Sequence, residues 1–267
     1  MTLEQLRVTF DEVADLYDTA RPAYPLALTE AITSVLQGTQ GRILEIGCGT
    51  GQATTPFARL GYPITALEPG RRLAALAARN LAAFPLVDIQ TVTFEDWAVA
   101  MGQYDLVLSA TAFHWVSPEV RYVKAAQALA AGGWLALFWN MEDDDESVLG
   151  QRLQAVYDKH APSSPEHPYG TPHPAGRSKA RALKIARRQE EIDQSGLFGS
   201  VSVLQFPWTQ LYTTEQYLQL LETYSDHRVM PPEDKRELFG GIARVLTEGG
   251  GGRTKPYLTV LYLARMG

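Results

Sequence analysis

Apolar positions along the chain cluster into short runs separated by stretches with helical spacing. Runs at residues 43–46, 62–69, 87–93, 104–110 and 134–140 are rich in β-branched, leucine and aromatic side chains and read as strands. Between them, residues 53–60, 71–83 and 122–131 carry helical patterns. Ser117-Pro118-Glu119 marks a helix start with proline just inside. Residues 26–36 form an earlier helix, and a short helix before it ends ahead of Pro22. Up to Asn140, strands and helices alternate strictly, which predicts a parallel sheet with right-handed crossovers. Beyond that point the order changes. A sixth strand at 201–208 is followed by helices at 214–224 and 231–246, a glycine turn at 249–252 and a last strand at 257–263.

The first strand runs straight into Glu45-Ile46-Gly47-Cys48-Gly49-Thr50-Gly51-Gln52 and then a helix. Glycines there permit positive φ and a close approach of ligand to backbone, and the helix that follows offers free N–H groups. In a doubly wound sheet this is where a nucleotide-like ligand sits. The spacing is Gly-x-Gly-x-Gly, with Gln52 where a dinucleotide fingerprint needs its third glycine. Glu45, two residues before the glycines, would repel a pyrophosphate but suits an amino-bearing or cationic ligand. Glu68, beside Pro69 at the end of the second strand, is placed to accept from both hydroxyls of a ribose.

Composition narrows the class. The 267 residues carry a net charge of −6 with no long basic run, which argues against a nucleic-acid substrate. No window approaches ~20 consecutive apolar residues, so no membrane span is expected, and the first ten residues lack a signal-peptide layout. The single cysteine, Cys48, excludes an internal disulfide and a cysteine-ligated iron–sulfur cluster and suits a reducing, cytoplasmic setting.

The glycine stretch resembles motif I of the class I S-adenosylmethionine-dependent methyltransferases, E/D-x-G-x-G-x-G. Three further stretches resemble small-molecule members of that family, including the trans-aconitate type: Tyr17-x-x-x-Arg21-Pro-x-Tyr24-Pro, the segment 93–97 after the third strand, and Phe113-His114-Trp115 after the fourth. The resemblance implies an α/β, Rossmann-like fold. Its seven-stranded, mostly parallel sheet has the last strand antiparallel and carries helical lid insertions. It divides one domain (1–267) into an N-terminal clasp (1–38), a cofactor-binding core (39–140) and lid segments at 141–200 and 209–256. It implies S-adenosylmethionine as cofactor, with Tyr17 and Arg21 at its methionine end, Arg21 facing the carboxylate. Further contacts are implied from Glu45, Gly47, Cys48, Gly49, Gly51, Gln52, Glu68 and Pro69, from Phe94 and Glu95 at the adenine, and from Ala110, Thr111 and His114. The family's usual aspartate aligns with Thr93 here, so the adenine contact departs from the pattern.

His114 titrates near neutrality and is the candidate base for a phenol or activated carbon; its other reading is a packing partner lining the cofactor. A carboxylate acceptor needs no base. Substrate contacts are expected from Tyr24, Trp115 and Asn140, and from His227 and Arg228 in the late insertion. The acidic run 142–146 reads as a solvated helix start, and 177–188 as an exposed basic helix face. His160, His167 and His173, with Tyr169, lie in a proline-rich lid with spacing too irregular for a metal site. Methyl transfer to a small molecule is the expected function. A non-catalytic S-adenosylmethionine-binding protein and methylation of protein or RNA are the alternatives. Nothing in the sequence speaks to oligomeric state.

Overall fold

The structure, a computed structural model, describes residues 14–37, 39, 41–143, 145–161 and 174–267. Seven strands form one sheet in the order β3-β2-β1-β4-β5-β7-β6. β1 (Ile43–Ile46), β2 (Ile64–Leu67), β3 (Val87–Gln90), β4 (Tyr104–Ala110) and β5 (Leu129–Glu142) are parallel. β7 (Gly252–Arg265) lies antiparallel between β5 and β6 (Ser202–Thr213). The expected fold is thus the observed one.

Helices cover both faces. α1 (Ala14–Ala20) and α2 (Leu26–Ser34) precede the sheet, and α3 (Thr54–Arg59), α4 (Arg71–Asn80) and α5 (Pro118–Ala128) are crossovers. α6 (Val148–His160) and α7 (Pro174–Gln194) follow β5. α8 (Thr214–Glu222), α9 (Ser225–Arg228) and α10 (Pro232–Glu248) separate β6 from β7. Alternation along β1 sends Leu44 and Ile46 into one core with Tyr122 and Ile192, and Ile43 into another with Leu28 and Phe57. Glu45 shares the face of Ile43.

Several elements differ in extent from the sequence expectation. β3 ends at Gln90 because Thr93 turns the chain: its Oγ1 accepts from the Asp96 N–H at 3.0 Å. α5 stops at Ala128, and Gly132-Gly133 lie inside β5, near a register irregularity against Tyr104 and Leu106. β6 and β7 extend well beyond their apolar centres. With α6, α8 and α10 their distal halves enclose a third core of Leu153, Tyr157, Leu220, Leu238, Ile242 and Tyr257. That unit is the roof at the carboxyl end of β5.

The acidic run is not a solvated helix start. Glu142 ends β5 and pairs with buried Lys255, and Asp145 pairs with Arg253 at 2.7 Å. Asp143 pairs with Arg181 at 2.9 Å. Helix α6 starts only at Val148, capped by Ser147. The basic face of α7 is exposed in part, at Lys179, Lys184 and Arg187, while Arg181 reaches Asp143 and Arg188 stacks 3.4 Å from the Trp139 ring centre. The proline-rich lid expectation, with His167, Tyr169 and His173, lies mostly outside the described residues. His160 is described and pairs with Glu237 at 3.1 Å. No helix among the described residues is long and apolar enough to cross a membrane.

Candidate functional site

The site is built where β1 breaks into its glycine turn. Gly47 and Cys48 both donate to Leu67 O, at 2.9 and 3.0 Å, which seats the turn on the tip of β2. Gly47 has φ +72°, and a Cβ there would come within 2.5 Å of Ala112 Cβ. Gly51, at φ +96°, would bring a Cβ within 2.9 Å of Leu81. Both positions therefore demand glycine.

Glu45 is 1% exposed, and neither carboxylate oxygen has a hydrogen-bond partner. Thr50 Oγ1, Thr54 Oγ1 and Gln52 Nε2 are also buried without partners. Burial pushes the Glu45 carboxyl up to about 7; Thr54, close by but outside hydrogen-bond geometry, holds it back, and Glu68 adds to the rise. A buried polar set left unpaired by its own chain costs free energy unless something else satisfies it. A cation or amino group at this point would do so. Cys48 is 4% exposed, and burial raises its thiol well above the ordinary value, so it is an unreactive lining residue.

Glu68 follows β2, buried, with one oxygen accepting from Gly49 N–H and the other from Gly70 N–H, both at 2.9 Å. A carboxylate so held retains lone pairs for a diol. Pro69 beside it is exposed. At the tip of β4, Ala110 is half-buried and Thr111 adopts φ +55°, rare for a β-branched residue and a strained backbone position. Thr111 is held by its N–H to Phe138 O at 2.8 Å and by its Oγ1 against Tyr24 OH at 3.1 Å.

The next residues form a single 3₁₀ turn, Phe113–Trp115. Trp115 is half-buried beside His114. His114 keeps an exposed edge, yet its Nδ1 accepts from Trp139 Nε1 at 3.2 Å. Burial, then Arg188 and Arg121, push its pKa down to about 4. The ring is therefore neutral near pH 7 with its accessible lone pair occupied, which is poor equipment for a general base.

Other expected residues take positions that sequence did not foresee. Phe94 is buried against Trp97, and Glu95 accepts from Ser117 N–H at 3.0 Å, which braces the start of α5. Arg21 donates to Thr223 O at 2.8 Å and lies over the Tyr224 ring. Asn140 donates to Ala23 O at 3.1 Å and accepts from Thr259, which makes it a tie for the N-terminal segment. His227 is 2% exposed, between Tyr157 and Asp226, and belongs to the roof core rather than a substrate surface. Arg228 stands one residue on, its N–H donating to Tyr224 O. The side chain of Tyr17, on α1, lies outside the described residues.

Thus Glu45, Gly47, Gly49, Gly51, Gln52, Glu68, Thr111 and Tyr24 converge, while Phe94, Glu95, Asn140 and His227 serve the framework. Sequence reasoning missed Thr50 and Thr54, whose signal was their place beside an acid after a glycine turn. It also missed the link from Trp139 to His114, which has no local signature.

Residues 44–137 match the methyltransferase domain family. An uncharacterized methyltransferase of Mycobacterium tuberculosis is 32% identical over 139 residues, 52% of this chain and 55% of the relative. The chain thus spans about half the length of the first curated relatives it matches. An uncharacterized methyltransferase-like protein of Schizosaccharomyces pombe is 28% identical over 244 residues, 88% of this chain and 84% of the relative. Among solved structures, a protein of Anaeromyxobacter dehalogenans described as a type II methyltransferase superposes with a TM-score of 0.60 at 19% identity, covering 92% of this chain and 97% of its own. The matched segment falls on β1 to β5, and the likeness to that solved structure is one of fold, with the same kind of seven-stranded sheet.

Proposed function

We propose that this chain binds S-adenosylmethionine at the β1 turn and transfers its methyl group to a small-molecule acceptor. One observation carries the reading: the unpaired buried set of Glu45, Thr50, Gln52 and Thr54 around a glycine turn that tolerates no Cβ. Glu45 would take the cofactor's ammonium, and Glu68 the ribose hydroxyls. The bound cofactor supplies a sulfonium methyl: the acceptor's lone pair forms the new bond to carbon as the carbon–sulfur pair leaves with sulfur.

The protein's part is alignment in a water-poor space beneath the roof. His114, neutral and held by Trp139, suits an acceptor that arrives already ionised, such as a carboxylate, better than one needing deprotonation. Arg21, Ala23 and Tyr24 bridge the roof to the tips of β4 and β5, and lie where an acceptor would enter.

Calorimetry with S-adenosylmethionine, its demethylated product and NAD tests the first half; binding of NAD alone would overturn it. A turnover screen across small carboxylates and phenols, with RNA and peptide alongside, tests the second. Turnover on RNA or peptide alone would sink the small-molecule reading.

A further inference from the structure

Trp139 and Arg188 lie outside every motif that pointed to the site, yet both bear on His114. Trp139 is the eleventh residue of β5 and 6% exposed. Its indole N–H can only donate, so a 3.2 Å contact with His114 Nδ1 makes that nitrogen the acceptor and leaves the ring proton on Nε2. Arg188, from α7, lays its guanidinium 3.4 Å from the Trp139 ring centre and 6.0 Å from that of Tyr262. A cation on the ring face draws indole density toward itself and strengthens the N–H as a donor. Tyr262 meets Trp139 edge-on at 5.9 Å and completes the cage.

We propose that Trp139 and Arg188 are positioning residues which hold His114 as the neutral, Nε2-protonated imidazole, so that it offers the methyl acceptor a hydrogen-bond donor and not a base. The proposal rests on the methyltransferase reading for its acceptor, but the tautomer itself does not. Charge around the ring points the same way. Arg188 from α7 and Arg121 from α5 both face it and oppose a second ring proton, and Arg121 is itself fixed to Glu191 at 2.9 Å. Protonating Nδ1 would also set two donors head to head against Trp139. The donor edge is left free because Nε2 lies across the ring from Nδ1, on a residue that remains exposed.

The test uses the full chain with ¹⁵N-labelled histidine, its five histidines being separated by the spectrum of His114→Gln. Long-range proton–nitrogen spectra of the cofactor-free protein should show His114 as the Nε2–H form, unchanged from pH 5 to 8. A dominant Nδ1–H form in the wild type overturns the proposal. Trp139→Phe keeps the ring and removes the donor; mixed tautomers and a titration moved up from about 4 toward 6.5 support it, and an unaltered signature overturns it. Arg188→Gln, away from the hydrogen bond, should raise the His114 titration while leaving the tautomer in place; no rise overturns the part given to Arg188. Binding of S-adenosylhomocysteine by the wild type and both variants is measured in parallel. Its absence in the wild type counts against the function, whereas the nitrogen signature reads the positioning alone. If an acceptor is found, His114→Gln, which keeps a donor near the Nε2 position, should retain turnover that His114→Ala loses at least tenfold. Equal loss in both overturns the donor role.

Discussion

The Gly49 N–H donates to Glu68 Oε2 at 2.9 Å, so the turn after β1 and the tip of β2 are locked by one carboxylate. Its other oxygen takes the Gly70 N–H, and both donors depend on an acceptor at that point. Glu68→Gln replaces one acceptor by an NH₂ that opposes a backbone donor. The expected loss is about 1–3 kcal/mol of stability, a fall of a few degrees in Tm for a chain of this size. Affinity for S-adenosylhomocysteine should fall at least tenfold by calorimetry. Unchanged affinity would remove Glu68 from the cofactor site.

Glu45 sets stability against binding. In the ligand-free chain its carboxyl lies at about 7, above its ordinary 4.5. Its stabilising contribution is then complete below pH 4.5 and lost as pH rises through 7, because the unfolded chain gives up the proton first. The gap corresponds to roughly 3 kcal/mol as an upper limit. Glu45→Gln should therefore melt higher than wild type at pH 8, with little difference at pH 4.5, while binding S-adenosylmethionine more weakly. A lower Tm at pH 8 would contradict the burial argument.

The same carboxyl predicts a proton balance. A cationic ligand favours ionised Glu45, so binding near pH 6.5 should release protons and affinity should rise from pH 6 to 8. Titrations in buffers of different ionisation heat measure this directly. Glu45→Gln should abolish the release; persistence of the full release in that variant would assign it elsewhere.

Gly47→Ala joins two penalties, a Cβ 2.5 Å from Ala112 and a φ of +72°. The cost should exceed about 1 kcal/mol and be accompanied by loss of cofactor binding. Thermal melts and calorimetry on one sample check both, and a fully stable, fully binding variant would show the turn to be looser than described.

At the edge of the roof, burial lowers Lys255 more than any single neighbour raises it, yet Glu142, Tyr224 and Tyr217 together hold the amine above its ordinary value. Glu142→Gln leaves that cation 2% exposed without its carboxylate. Breaking fully buried pairs costs about 3–5 kcal/mol. Because Glu142 is 40% exposed, a smaller loss of about 2 kcal/mol is expected. Lys255→Met combined with Glu142→Gln should recover most of it in urea melts.

The glycine turn and its neighbouring acids were legible because their placement is local: Glu45 through Gln52 and Glu68 lie at strand ends that hydrophobic runs announce. Strand extents were less so. β6 and β7 grow past their apolar centres through polar positions such as Lys255 and Arg253, whose partners Glu142 and Asp145 lie more than a hundred residues away. Asn140 and His227 read as substrate contacts because polar residues near a pocket look alike in sequence. Their partners, Ala23 with Thr259 and Tyr157 with Asp226, exist only once the chain is folded. Tyr24 was legible through its motif, while the strain at Thr111 that it braces left no trace in sequence.

β7 is one uninterrupted strand from Gly252 to Arg265, paired with β5 from Tyr257 to Arg265 and with β6 from Gly252 to Leu263. Rotation of the roof against the core would tear this shared ladder, so the molecule has no natural hinge there. The segment 21–24, outside the ladder, ties the roof to the tips of β4 and β5 through Arg21 on Thr223 O, Tyr24 against Thr111 and Asn140 on Ala23 O.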